Sequence, residues 1–322
     1  MRIRRRHAMP LALALIGVLA FGSPARPAER TVAGVVLQQD QFFRTIQLGM
    51  QAGAKAAGVK LIEANSDSKA EKEASLIDTF VARGVNAIVI SPLSATASVP
   101  ALKRAADAGI PVVTFNAPVN AGFPVAYLNS SQRAIGESTG QAAAAFIKAR
   151  LGGKAKIATL GFKALLPEIS RDRVDGFIAT AQAGGAVEVV AQQDAWLAEK
   201  AVAVATDLLT ANPGINVLFG ANEGGTVGAV QAVRNAGLSG KVFVFGTDGS
   251  KQIAQFLLAN DDVLQAVTAQ QPFEMGRRAV QAAVDHLDGK PVEKTTIIPV
   301  AGLNRSDRPG VEAFLTQLNT LK

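Results

Sequence analysis

Side chains able to grip a polar molecule recur at one kind of place in this chain, just past short apolar runs. TVAGVVL (31–37) breaks into Asp40-Gln41-Phe42-Phe43, AIVIS (87–91) ends in Ser91, and PVVTFN (111–116) ends in Asn116. Arg173, Trp196, Asn222, Asp248 and Gln270 stand likewise at or just beyond later apolar runs. Carboxylates and amide oxygens accept from hydroxyls, while Arg and amide NH2 groups donate to ring and hydroxyl oxygens, which suits a neutral polyhydroxylated ligand. Aromatic rings cover the apolar C–H face of such a ligand, and Phe42, Phe43 and the single Trp, Trp196, are placed to supply two covers. Taken singly, each has a plainer reading. A Phe pair after a strand usually packs into a core. Asp248 in GTDGS can cap the next helix, Asn222 in GANEGG can sit in a turn, and Arg173 in SRDRVDGF can be a solvated helix charge. Their shared placement is what points to one site built from many loops.

Bond-making chemistry has little to work with. There is no Cys, and of the two His residues one lies in the N-terminal segment; the other, His286, falls on an amphipathic stretch before Asp288-Gly289 and is expected on a helix surface. Cys–His catalysis and multi-His zinc sites are excluded, and no motif supports a Ser-His-Asp triad. GANEGGTVG (220–228) lacks the Lys-Ser/Thr ending of a phosphate loop and reads as a strand-to-helix turn with close backbone packing. Neither a metal nor a cofactor is expected.

Residues 1–28 combine a basic cluster (Arg2, Arg4, Arg5, Arg6), an apolar run from Leu11 to Phe21 and a small-residue segment, the pattern of a secretory signal peptide. The run falls short of the roughly 20 residues of a membrane span. Ser23 and Ala25 mark one cleavage point and Ala28 a later one, with no Cys following for a lipid anchor. The mature protein is therefore expected in the periplasm. Without residues 1–25, which hold four Arg and no acid, the formal balance falls from 33 − 26 = +7 to 29 − 26 = +3. Lys and Arg are interspersed with acids, so neither charge nor address suits a nucleic-acid partner. With no disulfides available, a hydrophobic core must hold the fold, and 48% apolar residues can build one. A mature chain of about 300 residues exceeds the size at which single cores stop growing, so two lobes are expected.

The elements that must position these groups alternate. Strands read at 32–37, 60–65, 87–91, 111–116, 125–129, 156–162, 187–191, 216–220, 242–248, 265–270 and 295–300. Their near-continuous Val, Ile and Ala runs suit parallel strands covered on both faces. Helical stripes lie between. Ile46, Gly49, Met50, Gly53, Ala54 and Ala57 form the first, ended by Gly58; Ala74, Ile77, Phe80 and Val81 the second, closed by Gly84; the third stops at Gly109-Ile110-Pro111. Each strand-helix unit takes roughly 25 to 30 residues, as right-handed βαβ crossovers do. The fold class is α/β, with two doubly wound Rossmann-like lobes whose ligands bind beyond the carboxyl ends of the strands.

Over almost the whole mature chain, the order of motifs resembles the periplasmic sugar-binding proteins of the ribose-binding type, receptors of ABC importers with the type I periplasmic binding protein fold. Asp40-Gln41-Phe42-Phe43 is similar to the family's Asn-Pro-Phe-Phe. RGVNAIVISPLSATA (83–97), AGIPVVTFN (108–116), SRDRVDGF (170–177), LFGANEGGTVGAV (218–230), FGTDG (245–249) and AVTAQQPFEMG (266–276) follow in the family's order and spacing. The resemblance implies that Asp40, Ser91, Asn116, Arg173, Asn222, Asp248 and Gln270 hydrogen-bond the ligand, with Phe42 and Phe43 on one face and Trp196 on the other. It implies a three-strand hinge with crossings near 130, 271 and 300, lobe one at 29–130 plus 272–300 and lobe two at 131–271 plus 301–322. It also implies a monomer that captures a monosaccharide or polyol, closes, and presents both lobes to an inner-membrane permease. The same machinery would serve a sugar-sensing partner of a chemoreceptor or histidine kinase. Two departures bear on the ligand: ribose binders carry Asp-Arg where this chain has Asn116-Ala117, and Asn where it has Ser91, so a sugar or polyol other than ribose is expected. The tail VEAFLTQLNTL (311–321) continues past the point where the family often ends, and its stripe of Phe314, Leu315 and Leu318 is expected to pack on lobe two.

Overall fold

Residues 29–320 are described by a computed structural model of the chain; the expected signal peptide, 1–28, lies outside the described residues. Five strands in succession build the first sheet: β1 (Thr31–Val36), β2 (Lys60–Asn65), β3 (Ala87–Ile90), β4 (Val112–Phe115) and β5 (Ala126–Asn129). Five more build the second: β6 (Lys154–Gly161), β7 (Ala186–Asp194), β8 (Val217–Gly220), β9 (Phe243–Thr247) and β10 (Leu264–Ala269). Two late strands, β11 (Thr295–Ile297) and β12 (Ala301–Asn304), join the first and second sheets respectively. The strand orders are β2-β1-β3-β4-β5-β11 and β7-β6-β8-β9-β10-β12, the same topology twice. All pairs are parallel except β10 with β12.

The helices between the strands are α1 (Gln41–Ala57), α2 (Ala70–Ala82), α3 (Val99–Asp107), α4 (Gln132–Arg150), α5 (Pro167–Ala181), α6 (Ala198–Ala211), α7 (Glu223–Asn235), α8 (Lys251–Leu258) and α9 (Pro272–Leu287), with α10 (Arg308–Thr320) closing the chain. Each sheet is apolar on both faces, with a separate core on each side. That explains why its strands read as runs of Val, Ile and Ala rather than as alternating patterns. The first helix forms as its sequence dictates: Asp40 caps its start by accepting from the Phe43 amide at 2.8 Å, and Gly58 ends it in a left-handed conformation at φ 64°.

The chain leaves the first sheet after β5 and builds α4 against α5, returns after β10 to lay α9 against α1, and crosses once more between β11 and β12. The helix pairs at these crossings are bound tightly. A Cβ on Gly49 would lie 2.0 Å from the Phe273 carbonyl oxygen, and one on Gly136 2.0 Å from that of Arg173. Only glycine permits such approaches, and the second holds the backbone of Arg173 against α4.

Only the first half of the expected strand at 295–300 forms one. β11 ends at Ile297, Pro299 offers no amide to a ladder, and the chain reappears in the other sheet as the antiparallel β12. α10 packs on α8 and β12, with Phe314 and Leu315 against the second lobe's core and the Phe314 ring filling the space a side chain at Gly249 would need. His286 is exposed on the last turn of α9.

Candidate functional site

A cavity lies between the lobes at the carboxyl ends of both sheets. Its walls take Asp40, Phe42, Phe43 and Asn116 from the first lobe and Arg173, Trp196, Asn222, Asp248 and Gln270 from the second. The free space inside is about 40 Å³, room for roughly three waters. A sugar-sized molecule fills more space than this.

Asp248 is the hub of the second-lobe wall. Its Oδ1 accepts from Gln270 Nε2 at 2.7 Å, its Oδ2 accepts from the Glu223 amide at 2.9 Å, and Arg173 Nη1 stands 3.8 Å from Oδ2. Arg173 is 3% exposed and braced from two sides: Nε donates to Gln132 Oε1 on α4 at 2.7 Å and Nη1 to the Ala221 carbonyl at 2.9 Å. Burial presses its pKa down and the Asp248 charge opposes the shift. The guanidinium also lies over the Phe162 ring, 5.4 Å from its centre, an attraction that supports a buried cation.

Asn222 caps α7. Its Oδ1 accepts from the Gly225 amide at 3.0 Å and its Nδ2 donates to the Trp196 carbonyl at 2.9 Å. The same carbonyl lies 2.1 Å from where a Cβ of Gly224 would be, so the glycines of GANEGG let the helix start seat directly on the Trp196 turn. Across the cavity, Phe42 is half-buried and meets the buried Phe43 edge-on at 5.3 Å. Asp40 has a second hydrogen bond, from Gln38 Nε2 at 2.5 Å, and burial raises its pKa.

Ser91 is placed differently. It is fully buried, lies behind the wall rather than in it, and accepts from Asn116 Nδ2 at 3.2 Å. Asn116 is further held by Tyr127, whose hydroxyl donates to the Asn116 carbonyl at 3.3 Å while accepting from Asn129 Nδ2 at 2.8 Å. Burial pushes the Tyr127 pKa up to about 12, so the phenol keeps its proton for that bond.

Several wall residues escape the sequence reading. Glu223, adjacent to the expected Asn222, lines the cavity, and burial pushes its carboxyl up to about 7, with Asp248 and Asp40 adding to the shift and a Ser250 hydrogen bond opposing it. Gln38, Phe162 and the pair Leu165-Leu166 also line it. Their one signal in sequence is that they too follow strand ends, β1 and β6. The arrangement offers hydrogen bonds and aromatic surface with no nucleophile–base pair, and it is suited to binding.

Comparisons with known proteins agree with that reading. An ABC transporter periplasmic-binding protein of Escherichia coli K12 is 34% identical over 274 residues, covering 83% of this chain and 82% of that protein. The ribose import binding protein of Bacillus subtilis 168 is 33% identical over 262 residues, 80% of this chain and 82% of its own length. A solved periplasmic solute-binding protein of Actinobacillus succinogenes, with D-allose bound, superposes with a TM-score of 0.80 at 25% identity, covering 88% of this chain and all of that one. The family model described as periplasmic binding protein domain matches residues 34–291. With that extent of agreement in sequence and fold, the chain belongs to the periplasmic binding protein family.

Proposed function

We propose that this protein captures a monosaccharide or polyol between its lobes in the periplasm, closes on it, and delivers it to the inner-membrane permease of an ABC importer. It is a solute-binding transport protein and not an enzyme. The observation that carries the ligand class is the wall itself. Carboxylates, amides and one guanidinium converge from the strand ends of two sheets, with Phe42, Phe43 and Trp196 among them. Side chains of this kind match a ring bearing hydroxyls on its edge and C–H groups on its faces.

The lobes are read as 29–130 plus 272–300 and 131–271 plus 301–322, moving as bodies about the three crossings. Ligand contacts made to both at once favour the closed form. Asp40, Asn116, Arg173, Asn222, Asp248 and Gln270 are assigned as the ligand's hydrogen-bond partners, Phe42, Phe43 and Trp196 as its covers, and Ser91 as the group that orients Asn116. The working state is a monomer, exported by a cleaved signal peptide within 1–28. The transport role is favoured over sensing because the relatives at 33–34% identity are named as ABC transporter and import binding proteins.

A thermal-shift screen of the mature protein against monosaccharides, polyols and their derivatives tests this. A ligand at 100 times its Kd that binds only the native state adds about 2.7 kcal/mol, a shift of several degrees. A panel with no stabilising member would remove the proposal.

A further inference from the structure

We propose that the solute carries a protonated amine, as an amino sugar or amino polyol does, and that Glu223 and Asp40 hold that amine in the interlobe cleft. This deepens the solute-receptor reading above and rests on it. The first support is the charge of the wall. Asp40, Glu223 and Asp248 face a single cation, Arg173, which leaves 1 − 3 = −2 with all four ionised. Arg173 serves Asp248, at 3.8 Å, and spends its other bonds on Gln132 and the Ala221 carbonyl. Asp40 and Glu223 have neutral partners only: the Phe43 amide and Gln38 for the first, the Ser250 hydroxyl for the second. Among the described residues neither makes an ion pair, and no group of three acidic or His side chains is placed to hold a metal.

The second support is independent of charge. Gln270 is 2% exposed and its Nε2 donates to Asp248, which fixes the amide's orientation because a carboxylate cannot donate; its Oε1 has no partner. A buried acceptor without a donor is costly. The unfilled capacity of this wall therefore asks for donors, and an ammonium group brings three and no acceptor. A neutral sugar would bring hydroxyl donors to these carboxylates but no positive charge, and desolvating a carboxylate is expensive unless its charge is neutralised.

The groups facing Glu223 define a proton signature. They are Asp40 from the start of α1, Asp248 from the end of β9 and Arg173 from α5, while α8 offers the Ser250 hydroxyl and the Trp196 turn brings no charge. With its carboxyl near 7 in the empty cleft, Glu223 is partly protonated at neutral pH. An ammonium beside it favours the carboxylate, so binding releases a proton, whereas a neutral hydroxyl gives no such release.

Calorimetry on the mature protein at pH 7 decides it, with three matched pairs: galactosamine and galactose, an inosamine and its inositol, 1-amino-1-deoxyhexitol and its hexitol. At least one amine is expected to bind ten times more tightly than its neutral partner, with a binding enthalpy that changes between buffers of different ionisation heat. Glu223→Gln is expected to reduce that amine-to-neutral ratio to threefold or less. Neutral members binding as tightly as or more tightly than every amine, or a ratio unmoved by Glu223→Gln, would overturn the inference and leave the sugar receptor standing. No binding by any of the six would overturn the amine inference alone, since the receptor reading is tested separately by the full thermal-shift panel.

Discussion

Asn116 and Asp248 occupy the same place in the two lobes. Each follows the fourth strand of its sheet, each has a left-handed backbone, φ 63° and 73°, and each donates its amide to a carbonyl on the fifth strand, Leu128 and Thr268, at 2.9 Å. Non-glycine residues with positive φ are uncommon, and Asn and Asp tolerate it best. The fold thus turns two polar side chains toward one cavity by one backbone device used twice, and Ser91 and Tyr127 brace the first as Gln270 and Arg173 brace the second.

Asp248 can accordingly be tested without breaking the turn. Asp248→Asn keeps the shape and the tolerance for positive φ, and the Gln270 amide can flip so that its unpaired oxygen accepts from the new NH2. The melting temperature is expected to stay within a few degrees of wild type while sugar affinity falls at least tenfold. Asp248→Ala, which strands both Gln270 and the Glu223 amide, is expected to cost about 1 to 3 kcal/mol in stability. Equal losses of stability in the two variants would show that the carboxylate charge, rather than the turn, holds the wall.

Arg173 reaches further into the architecture than a ligand contact requires. Arg173→Ala leaves Gln132 Oε1 and the Ala221 carbonyl buried without donors, so about 2 to 4 kcal/mol of stability should go with the affinity. Thermal unfolding of the ligand-free protein measures the first loss and calorimetry the second. A variant that melts like wild type would mean that the two braces are dispensable.

Glu223 gives stability a pH dependence of definite sign. A carboxyl near 7 in the folded state and near its ordinary value of 4.5 when unfolded binds more protons folded than unfolded across that window. Its contribution therefore weakens as pH rises from about 4.5 to 7. Paired surface carboxylates such as Asp67 and Glu274 are held below their usual range and act in the opposite direction, so the comparison must be with a variant. Glu223→Gln is expected to gain about 1 to 2 kcal/mol on wild type between pH 5 and 8. Parallel melting curves for the two proteins across that range would place Glu223 in a wetter setting than the cavity.

What sequence made legible, and what it did not, divides along physical lines. Apolar runs, helix stripes and left-handed glycines are local, and with them came the strand ends where Asp40, Asn116, Asn222, Asp248 and Gln270 gather. Ser91 stands at such an end too, but whether a side chain there faces the cavity or the layer behind depends on the packing of its neighbours. Glu223 reads as an ordinary first residue of a helix; its closeness to Asp40 arises only when the two lobes meet. β12 was invisible for a similar reason, since AGLN carries no strand pattern and pairs only because Pro299 ends the previous strand and the chain crosses to an open edge.

Trp196 offers a reporter and a test together. Trp196 lines the cavity, and its carbonyl, which receives the Asn222 amide, survives replacement. Trp196→Ala should therefore fold and weaken sugar binding by about 1 to 3 kcal/mol, taking stacking on planar ligands as the guide. As the single Trp of the chain, its emission should change on titration of wild type. An affinity unaltered in the variant would remove the ring from the ligand's face.

Ribose is the sharpest control on specificity. Where the resembling ribose binders carry Asp-Arg, this wall has Asn116, whose amide is already engaged by Ser91, followed by the buried Ala117. A site rejects a ligand strongly only when buried groups on one side are left without partners on the other, and here two ribose hydroxyls lose the charged donor and acceptor they would meet. Ribose is therefore expected to bind at least tenfold more weakly than the best member of a sugar and polyol panel. Ala117 also borders a separate hollow of about 470 Å³ with Pro118, Leu165 and Ile169, which leaves room for a longer side chain. Asn116→Asp combined with Ala117→Arg should thus fold and shift preference toward ribose, as read by competition calorimetry. Ribose emerging as the tightest ligand of the unmodified protein would show that these two positions do not set specificity.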